Sequence, residues 1–155
     1  MKKVLFISST GGHLSELLQM KPLFKKYKSY IITEKTKSTC VLKTQYERVS
    51  FLMYGSKHYV FTYWFKFLFN TFKSLFLFIK IRPNVIVTTG THTAVPMCYI
   101  GKLFRKRIIF IETFANRNTK TVSGKIIYPI ADVFVVQWKE MLKLYPNAIY
   151  GGWIF

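Results

Sequence analysis

Acidic residues are scarce in this chain. Its 155 residues include 6 Asp and Glu against 24 Lys and Arg, which gives a formal net charge of +18. A balance this basic favours an anionic partner, such as nucleic acid, anionic lipid or a phosphorylated substrate. A solvated basic surface with no partner is the alternative, but it leaves the aromatic content of 18% unexplained.

Cysteines and the features of a secretion signal are also lacking. Cys40 and Cys98 lie far apart and outside any Cys-x-x-Cys or zinc pattern, so we expect neither a disulfide framework nor a metal site. The apolar run after the N-terminal lysines is too short for a signal peptide, and no small-residue cleavage site follows it. We therefore expect a first strand there and a cytoplasmic protein.

Apolar runs alternate with helical segments along the chain. Such runs predict strands at 3–8, 29–33, 48–53, 84–90, 107–112 and 132–137. Helical spacing predicts a helix over 13–26, kinked or ended by Pro22, and further helices after Gly90 and from Trp138. This order predicts an α/β fold, a Rossmann-like parallel sheet covered on both faces, in one domain over residues 1–155.

Two joints between strand and helix carry glycine followed by histidine. The first, "SSTGGHLSE" at 8–16, lacks the third glycine of a G-x-G-x-x-G dinucleotide loop, and the second is "TTGTHTAVP". Glycines allow a ligand close to the backbone, a helix start offers N–H groups to an anion, and histidine can act as a general base. Tight turns and helix caps explain the same residues without a ligand. The candidates are Gly11, Gly12, His13, Gly90, Thr91 and His92.

Glu112 ends the fifth predicted strand and belongs to the same rim, because ligands of parallel sheets bind at the carboxyl ends of strands. An unpaired charge is costly at the end of a buried strand. Its carboxylate could pair with Arg117 or a lysine, orient His13, or hold a sugar hydroxyl.

The segment 59–82 is overwhelmingly apolar and aromatic. A surface helix of a soluble domain needs an apolar arc of roughly 100°, and this helix has far more, with Lys66, Asn70 and Lys73 on one narrow polar stripe. Each lysine would cost about 3 kcal/mol at a bilayer centre, so an interfacial helix is favoured over a spanning one. A buried helix, or one covered by a partner, is the alternative. The residues expected to meet the membrane are Trp64, Phe65, Lys66, Phe69, Lys73, Phe76 and Lys80.

Four strings resemble one family: "STGGHLSELL", "TTGTHTAVP", "FIETFANRNTKTVSGKIIYPIADVFVVQW" and "YPNAIYGGWIF". They are similar to the acceptor-side, membrane-anchoring subunit of two-part glycosyltransferases. In eukaryotes that subunit serves the transferase that adds the second GlcNAc to dolichol-pyrophosphate-GlcNAc. Its bacterial relatives serve capsule and exopolysaccharide synthesis. The resemblance covers nearly the whole chain.

The resemblance implies the fold of the N-terminal half of a GT-B glycosyltransferase. It implies that the two Gly-His loops hold the pyrophosphate of a lipid-linked acceptor, with His13 as candidate base, Glu112 in support and Arg117 on the acceptor. The arginine stands one residue closer to the glutamate in the eukaryotic members. The site for the nucleotide sugar lies in the other half of a GT-B enzyme, so the resemblance implies a separate catalytic partner. The exposed apolar residues that would dock it are Trp153, Ile154 and Phe155.

We therefore expect an acceptor-binding, membrane-recruiting subunit of a bacterial polysaccharide glycosyltransferase on the cytoplasmic face of the membrane. Its acceptor would be an undecaprenyl-pyrophosphate-type sugar, and the chain alone would be non-catalytic, with no cofactor and no metal. A nucleic-acid-binding module fits the charge, but the aromatic residues are not interleaved with arginine. A stand-alone dinucleotide enzyme is a further alternative, in which Glu34 after the second strand would bind a ribose.

Overall fold

The computed structural model describes residues 1–55 and 60–154 and contains one sheet of seven strands. The strands run parallel in the order β3-β2-β1-β4-β5-β6-β7. They are β1 (Lys3–Ser8), β2 (Lys28–Glu34), β3 (Val49–Leu52), β4 (Val85–Gly90), β5 (Arg107–Ile111), β6 (Val133–Val136) and β7 (Ile149–Tyr150). The predicted Rossmann-like parallel sheet is confirmed, and the strand order reverses beside β1, where α/β folds bind ligands.

Six α-helices connect the strands within the described residues. They are α1 (Gly12–Gln19), α2 (Lys21–Lys26), α3 (Leu42–Gln45), α4 (Val60–Ile81), α5 (Val95–Leu103) and α6 (Val122–Ile127). The helix predicted over 13–26 is two helices, with Pro22 in the first turn of the second, where proline is tolerated. The helix predicted from Trp138 is a 3-10 turn at Lys139–Lys143. Strand β7 was not predicted, because two residues are too few to leave a pattern.

Alternate residues of the strands point to opposite faces of the sheet and build two cores. Phe6 packs with Leu14 and Leu17 of α1 on one face. Leu5 belongs to the core of the other face, with Leu77 of α4 and other residues of α5 and α6. The sheet therefore separates α1 and α2 from α4, α5 and α6.

Helix α4 is turned so that part of its polar stripe faces the protein. Asn70 is 6% exposed, and its side-chain amide accepts from the backbone N–H of Met53 and donates to the carbonyl of the same residue, both at 2.8 Å. Ser74 is also buried. The outward side is apolar, with Trp64, Phe65, Leu68, Phe69, Phe72, Leu75, Phe76 and Ile79 exposed. The predicted helix is thus present over Val60–Ile81, while residue 59 lies outside the described residues.

Exposed apolar side chains continue from α4 onto its neighbours. Tyr99 and Leu103 of α5 and Val122 and Ile126 of α6 are exposed on the same side of the sheet, and the Tyr99 hydroxyl donates to the Ile126 carbonyl at 3.1 Å. We call the exposed apolar residues of α4, α5 and α6 the aromatic face. Among the described helices, none combines the length and the apolar character that crossing a bilayer requires.

Candidate functional site

The loops that follow β1, β4 and β5 are bonded to one another at the carboxyl edge of the sheet. The backbone N–H of Ser9 donates to the carbonyl of Gly90 at 3.1 Å and joins the first two loops. Glu16, in α1, accepts from the Thr113 hydroxyl at 2.7 Å and from the Phe114 backbone N–H at 3.1 Å. These bonds bring the polar loops together at one rim, as the parallel topology leads us to expect.

His13 is held by two reciprocal hydrogen bonds with Thr89. Its Nδ1 lies 2.7 Å from the Thr89 carbonyl oxygen, and the Thr89 hydroxyl donates to the His13 carbonyl at 2.7 Å. Because a carbonyl only accepts, Nδ1 carries the proton in the neutral ring and Nε2 keeps its lone pair. This tautomer leaves Nε2 as the ring atom at which the half-buried imidazole can accept a proton.

Gly11 and Gly12 leave open space at the start of α1. Gly11 has φ +80°, a conformation that favours glycine, whereas the φ of Gly12 lies outside that region. A Cβ placed on either residue would meet no atom within 4 Å. The fold itself therefore does not require glycine at position 12, and the room in front of it is available to a ligand.

Gly90 lies at the centre of the site. It is buried, has φ +100°, and a Cβ placed on it would lie 3.1 Å from the Ser123 hydroxyl and 3.5 Å from the His13 ring. Thr91 and His92, both half-buried, follow directly, with the Thr91 hydroxyl 3.3 Å from His92 Nδ1. The structure thus brings His13 close to the second loop.

Glu34, at the end of β2, ties the two loops together. Its carboxylate is 2% exposed and accepts from the Thr93 hydroxyl at 2.6 Å and from the Thr10 backbone N–H at 3.3 Å. His92 Nε2 lies 3.6 Å from Glu34 Oε1. These contacts give Glu34 a positioning role within the protein, in place of the ribose-binding role considered for it. The position of Glu34 at the end of a buried strand is the feature of the sequence that indicates such a role.

Glu112 is held inside the protein by three donors. Its carboxylate accepts from the Thr121 hydroxyl at 2.8 Å, the Tyr145 hydroxyl at 2.8 Å and the Thr113 backbone N–H at 3.2 Å. Burial raises the pKa of Glu112 despite these bonds, and burial beside this carboxylate raises the pKa of Tyr145. Gly124 allows the close approach, since a side chain there would clash with Glu112 and Tyr145.

Arg117 does not pair with Glu112. Its guanidinium donates to Glu140 at 2.7 Å and lies 5.1 Å from the ring centre of Trp138. The pairing of Glu112 with Arg117 is therefore wrong for this structure, and the three described partners of the Glu112 carboxylate do not include His13. The sequence did not indicate Thr121 and Tyr145, because hydroxyl donors leave no distinctive pattern.

An aromatic cluster stands beside this arginine. Phe114 packs against Trp138 and Trp153, with ring centres 4.7 Å and 5.4 Å away, and the Trp138 indole N–H donates to the Phe114 carbonyl at 2.8 Å. Trp153 is 70% exposed, and Ile154 is exposed beside it. Phe155, predicted to dock a partner with these two, lies outside the described residues.

A cavity of about 370 Å³ opens beside the second loop. Its apolar walls come from α4, α5 and α6, and its polar groups come from residues 91–92 and 121–123. Within residues 1–55 and 60–154, no group of three or more His, Cys, Asp or Glu is placed to hold a metal ion.

Sequence comparison relates the chain to oligosaccharide biosynthesis proteins. The family described as "Oligosaccharide biosynthesis protein Alg14 like" matches residues 4–154. The UDP-N-acetylglucosamine transferase subunit ALG14 of Mus musculus is 26% identical over 177 positions, which cover 97% of this chain and 82% of that protein. The ALG14 subunit of Yarrowia lipolytica is 40% identical over 79 positions, which cover 47% of this chain and 37% of that protein.

Solved structures share the fold at low sequence identity. MurG of Acinetobacter baumannii superposes with a TM-score of 0.72 at 17% identity over 90% of this chain and 43% of that one. UDP-N-acetylglucosamine 2-epimerase of Rickettsia bellii gives a TM-score of 0.72 at 16% identity over 94% of this chain and 41% of that one. The chain therefore spans less than half the length of these two enzymes.

Proposed function

Because this chain belongs to the family of Alg14-like oligosaccharide biosynthesis proteins, we propose that it is the acceptor-binding and membrane-recruiting subunit of a glycosyltransferase. It holds a sugar linked to a lipid pyrophosphate. A separate catalytic subunit brings the UDP-sugar and completes the active site.

The observation that carries this proposal is the aromatic face beside the polar loops. Phe65, Phe72 and Phe76 of α4 are between 64% and 70% exposed, while the polar Asn70 of the same helix is buried. Large aromatic groups are costly to leave in water and favourable in the acyl boundary of a bilayer. Lys80 of the same helix is exposed and suits anionic headgroups, while Lys66 and Lys73 are half-buried beside Met53, on the side of Asn70. The face thus delivers a membrane-bound acceptor to the adjacent loops.

His13 supplies the base in the assembled site. A hydroxyl of the acceptor sugar attacks C1 of the UDP-sugar, the bond from C1 to the UDP oxygen breaks, and UDP leaves with the bonding electrons. The proton of the attacking hydroxyl passes to His13 Nε2, since Thr89 fixes the other ring nitrogen as a donor. Glu112 acts at a distance from the reacting atoms by holding Thr121 and Tyr145 in place.

The acceptor pyrophosphate lies against the two glycine loops. The open space before Gly11 and Gly12 admits an anion to the exposed start of α1, and Gly90 with Thr91 and His92 borders it on the other side. The net charge of +18 favours the same ligand and the same membrane. Arg117, which follows β5, is proposed to bind the acceptor by exchanging its ion pair with Glu140 for the pyrophosphate.

The aromatic cluster docks the catalytic subunit. Trp153 and Ile154 are exposed next to Phe114 and Trp138, and a rigid aromatic patch of this kind is typical of the centre of an interface. We include Phe155 in this surface on the basis of the sequence. The complex is a heterodimer or a larger assembly.

We propose that the glycosyltransferase builds a bacterial capsule or exopolysaccharide. Its acceptor is of the undecaprenyl-pyrophosphate type and lies on the cytoplasmic face of the membrane. The resemblance of the four sequence strings supports this. The ALG14 relatives are named as UDP-N-acetylglucosamine transferase subunits, so UDP-GlcNAc belongs among the donors to be tested. We propose no nucleic-acid partner, because the exposed aromatic residues of α4 gather on one apolar face instead of alternating with arginine.

The test is a transfer assay with the assembled complex. His13→Ala should lower transfer to a lipid-pyrophosphate sugar by about 10²- to 10⁴-fold, the range for loss of a general base. Gln19→Ala, an exposed change on the same helix, is the matched control and should leave the rate unchanged. Full activity of His13→Ala with a folded complex would contradict the assignment of the base.

A further inference from the structure

Among the described residues that line the cavity beside the second loop, His92 alone carries an acidic or basic side chain. Its apolar lining is Tyr63, Trp64 and Phe67 of α4, Val95 of α5, and Val122 and Ile126 of α6. In a chain with a net charge of +18, this described lining of aromatic and aliphatic side chains suits an uncharged, apolar group. Its volume of about 370 Å³ is within the range of roughly 300–1,000 Å³ found for small-molecule sites.

One side of this cavity adjoins the candidate pyrophosphate loops. Thr91 and Ser123 belong to its lining, and a Cβ placed on Gly90 would lie 3.1 Å from the Ser123 hydroxyl and 3.5 Å from the His13 ring. Ser123 therefore stands between the cavity and the loops that carry Gly90 and His13.

The opposite side of the cavity is continuous with the aromatic face. Trp64 and Val122 line the cavity and are 63% and 66% exposed, so its apolar wall extends to the exposed surface. The cavity is too small for a long lipid chain, but it connects the surface that meets the bilayer with the loops that meet the pyrophosphate.

We propose that this cavity binds the isoprenoid units next to the pyrophosphate of the acceptor lipid. The inference rests on the proposed function and adds to it a site for the lipid itself. The branched, unsaturated chain packs against aromatic and β-branched side chains, its pyrophosphate extends past Ser123 to the glycine loops, and the remaining chain leaves along the aromatic face into the bilayer. The subunit thus recognises a prenyl pyrophosphate by chain and head together.

A short soluble probe tests the proposal. Binding of farnesyl pyrophosphate, inorganic pyrophosphate and farnesol to the full chain is measured by calorimetry. We expect farnesyl pyrophosphate to bind at least about tenfold more tightly than either fragment, because apolar burial and anion binding add. Val122→Trp and Ile126→Trp fill the cavity. Each should remove most of the gain in affinity for farnesyl pyrophosphate and leave the binding of inorganic pyrophosphate unaffected. Leu103→Trp, which is on the aromatic face outside the cavity, should keep it.

A photoreactive farnesyl pyrophosphate gives a second readout that does not depend on the variants. Its label should map to the cavity walls, such as Phe67 and Val95, and be displaced by unlabelled probe. The cavity assignment is overturned if both fillers keep the full gain, if the label maps to the outer side of α4, or if farnesol binds as tightly as farnesyl pyrophosphate. If neither farnesyl pyrophosphate nor inorganic pyrophosphate binds, the acceptor loops of the proposed function fail as well.

Discussion

The two faces of the sheet use their helices in opposite ways. Helix α1 follows the usual rule, since Leu14 and Leu17 are buried while Ser15 and Gln19 are exposed. Helix α4 departs from it, because Asn70 and Ser74 are buried while a row of phenylalanines is exposed. Burial alone explains the first face. The second face keeps large apolar side chains in water at a free-energy cost, and this cost is the physical argument for the proposed contact with a membrane.

The largest expected effect comes from the exposed phenylalanines of α4. Replacing Phe72 and Phe76 by Glu should lower binding to anionic vesicles by at least about 100-fold, since each ring loses apolar burial and gains a negative charge near anionic headgroups. Flotation of the purified chain with vesicles measures this. The matched control replaces Leu23 and Val41, exposed on the other face, by Glu. Equal losses for both pairs would show that charge alone drives binding.

We expect the buried carboxylate of Glu112 to stabilise the folded chain. Glu112→Ala leaves the buried Tyr145 hydroxyl without its acceptor and should lower the free energy of unfolding by about 2 kcal/mol. Glu140→Ala, an exposed acid in a surface pair, should change it little. Urea titration compares the variants, and an unaltered midpoint for Glu112→Ala would contradict the structural role.

The raised pKa of Glu112 adds a dependence on pH. Because the folded pKa lies above the ordinary value of 4.5, the folded state binds more protons than the unfolded state between the two values. This contribution to stability is therefore fully present below pH 4.5 and is lost as the pH rises through the folded pKa. Glu112→Ala should lack that loss when the same titrations are repeated across the window.

Asn70 separates the inward and outward sides of α4. Asn70→Ala removes both hydrogen bonds to the Met53 backbone and should lower the free energy of unfolding by about 1–2 kcal/mol. Phe72→Ala changes an exposed residue on the opposite side of the same helix, so it should leave the free energy of unfolding unchanged and weaken vesicle binding. Thermal unfolding and flotation of the same two samples measure both effects, and a stability loss in Phe72→Ala alone would reverse the assignment.

The smallest expected effect concerns Gly12, at the start of α1 among the polar loops. Gly12→Ala fits the fold, since its φ does not require glycine and the space is open, but its methyl group would occupy the room assigned to the pyrophosphate. We expect about fivefold weaker binding of inorganic pyrophosphate. We expect no loss of stability, because alanine has a higher helix propensity than glycine. Gly11→Ala, at φ +80°, should instead destabilise the fold. Unchanged affinity in Gly12→Ala would place the anion elsewhere.

The sequence predicted the sheet well because buried parallel strands leave continuous apolar runs, as "VLFI" in β1 and "VIV" in β4 show. It also predicted which loops meet, since parallel topology places all carboxyl ends at one edge. It did not predict the orientation of α4. The polar stripe is compatible with facing water or the protein. The backbone of Met53, 17 residues away in the chain, fixes the orientation through its two hydrogen bonds with Asn70. Glu112 was found as a candidate, but its partners Thr121 and Tyr145 were not, because long-range hydroxyl pairs have no spacing to detect.

The central claim is that this chain presents a membrane-bound acceptor to a catalytic subunit. The most direct measurement is sugar transfer by the catalytic subunit to a lipid-pyrophosphate acceptor in vesicles, with no added chain, with the wild type, and with Phe72 and Phe76 replaced by Glu. We expect sugar transfer to require the wild-type chain. The double variant should lose transfer to the acceptor in vesicles and retain transfer to a short-chain soluble acceptor. Full transfer by the catalytic subunit alone would show that this chain is not needed to present the acceptor.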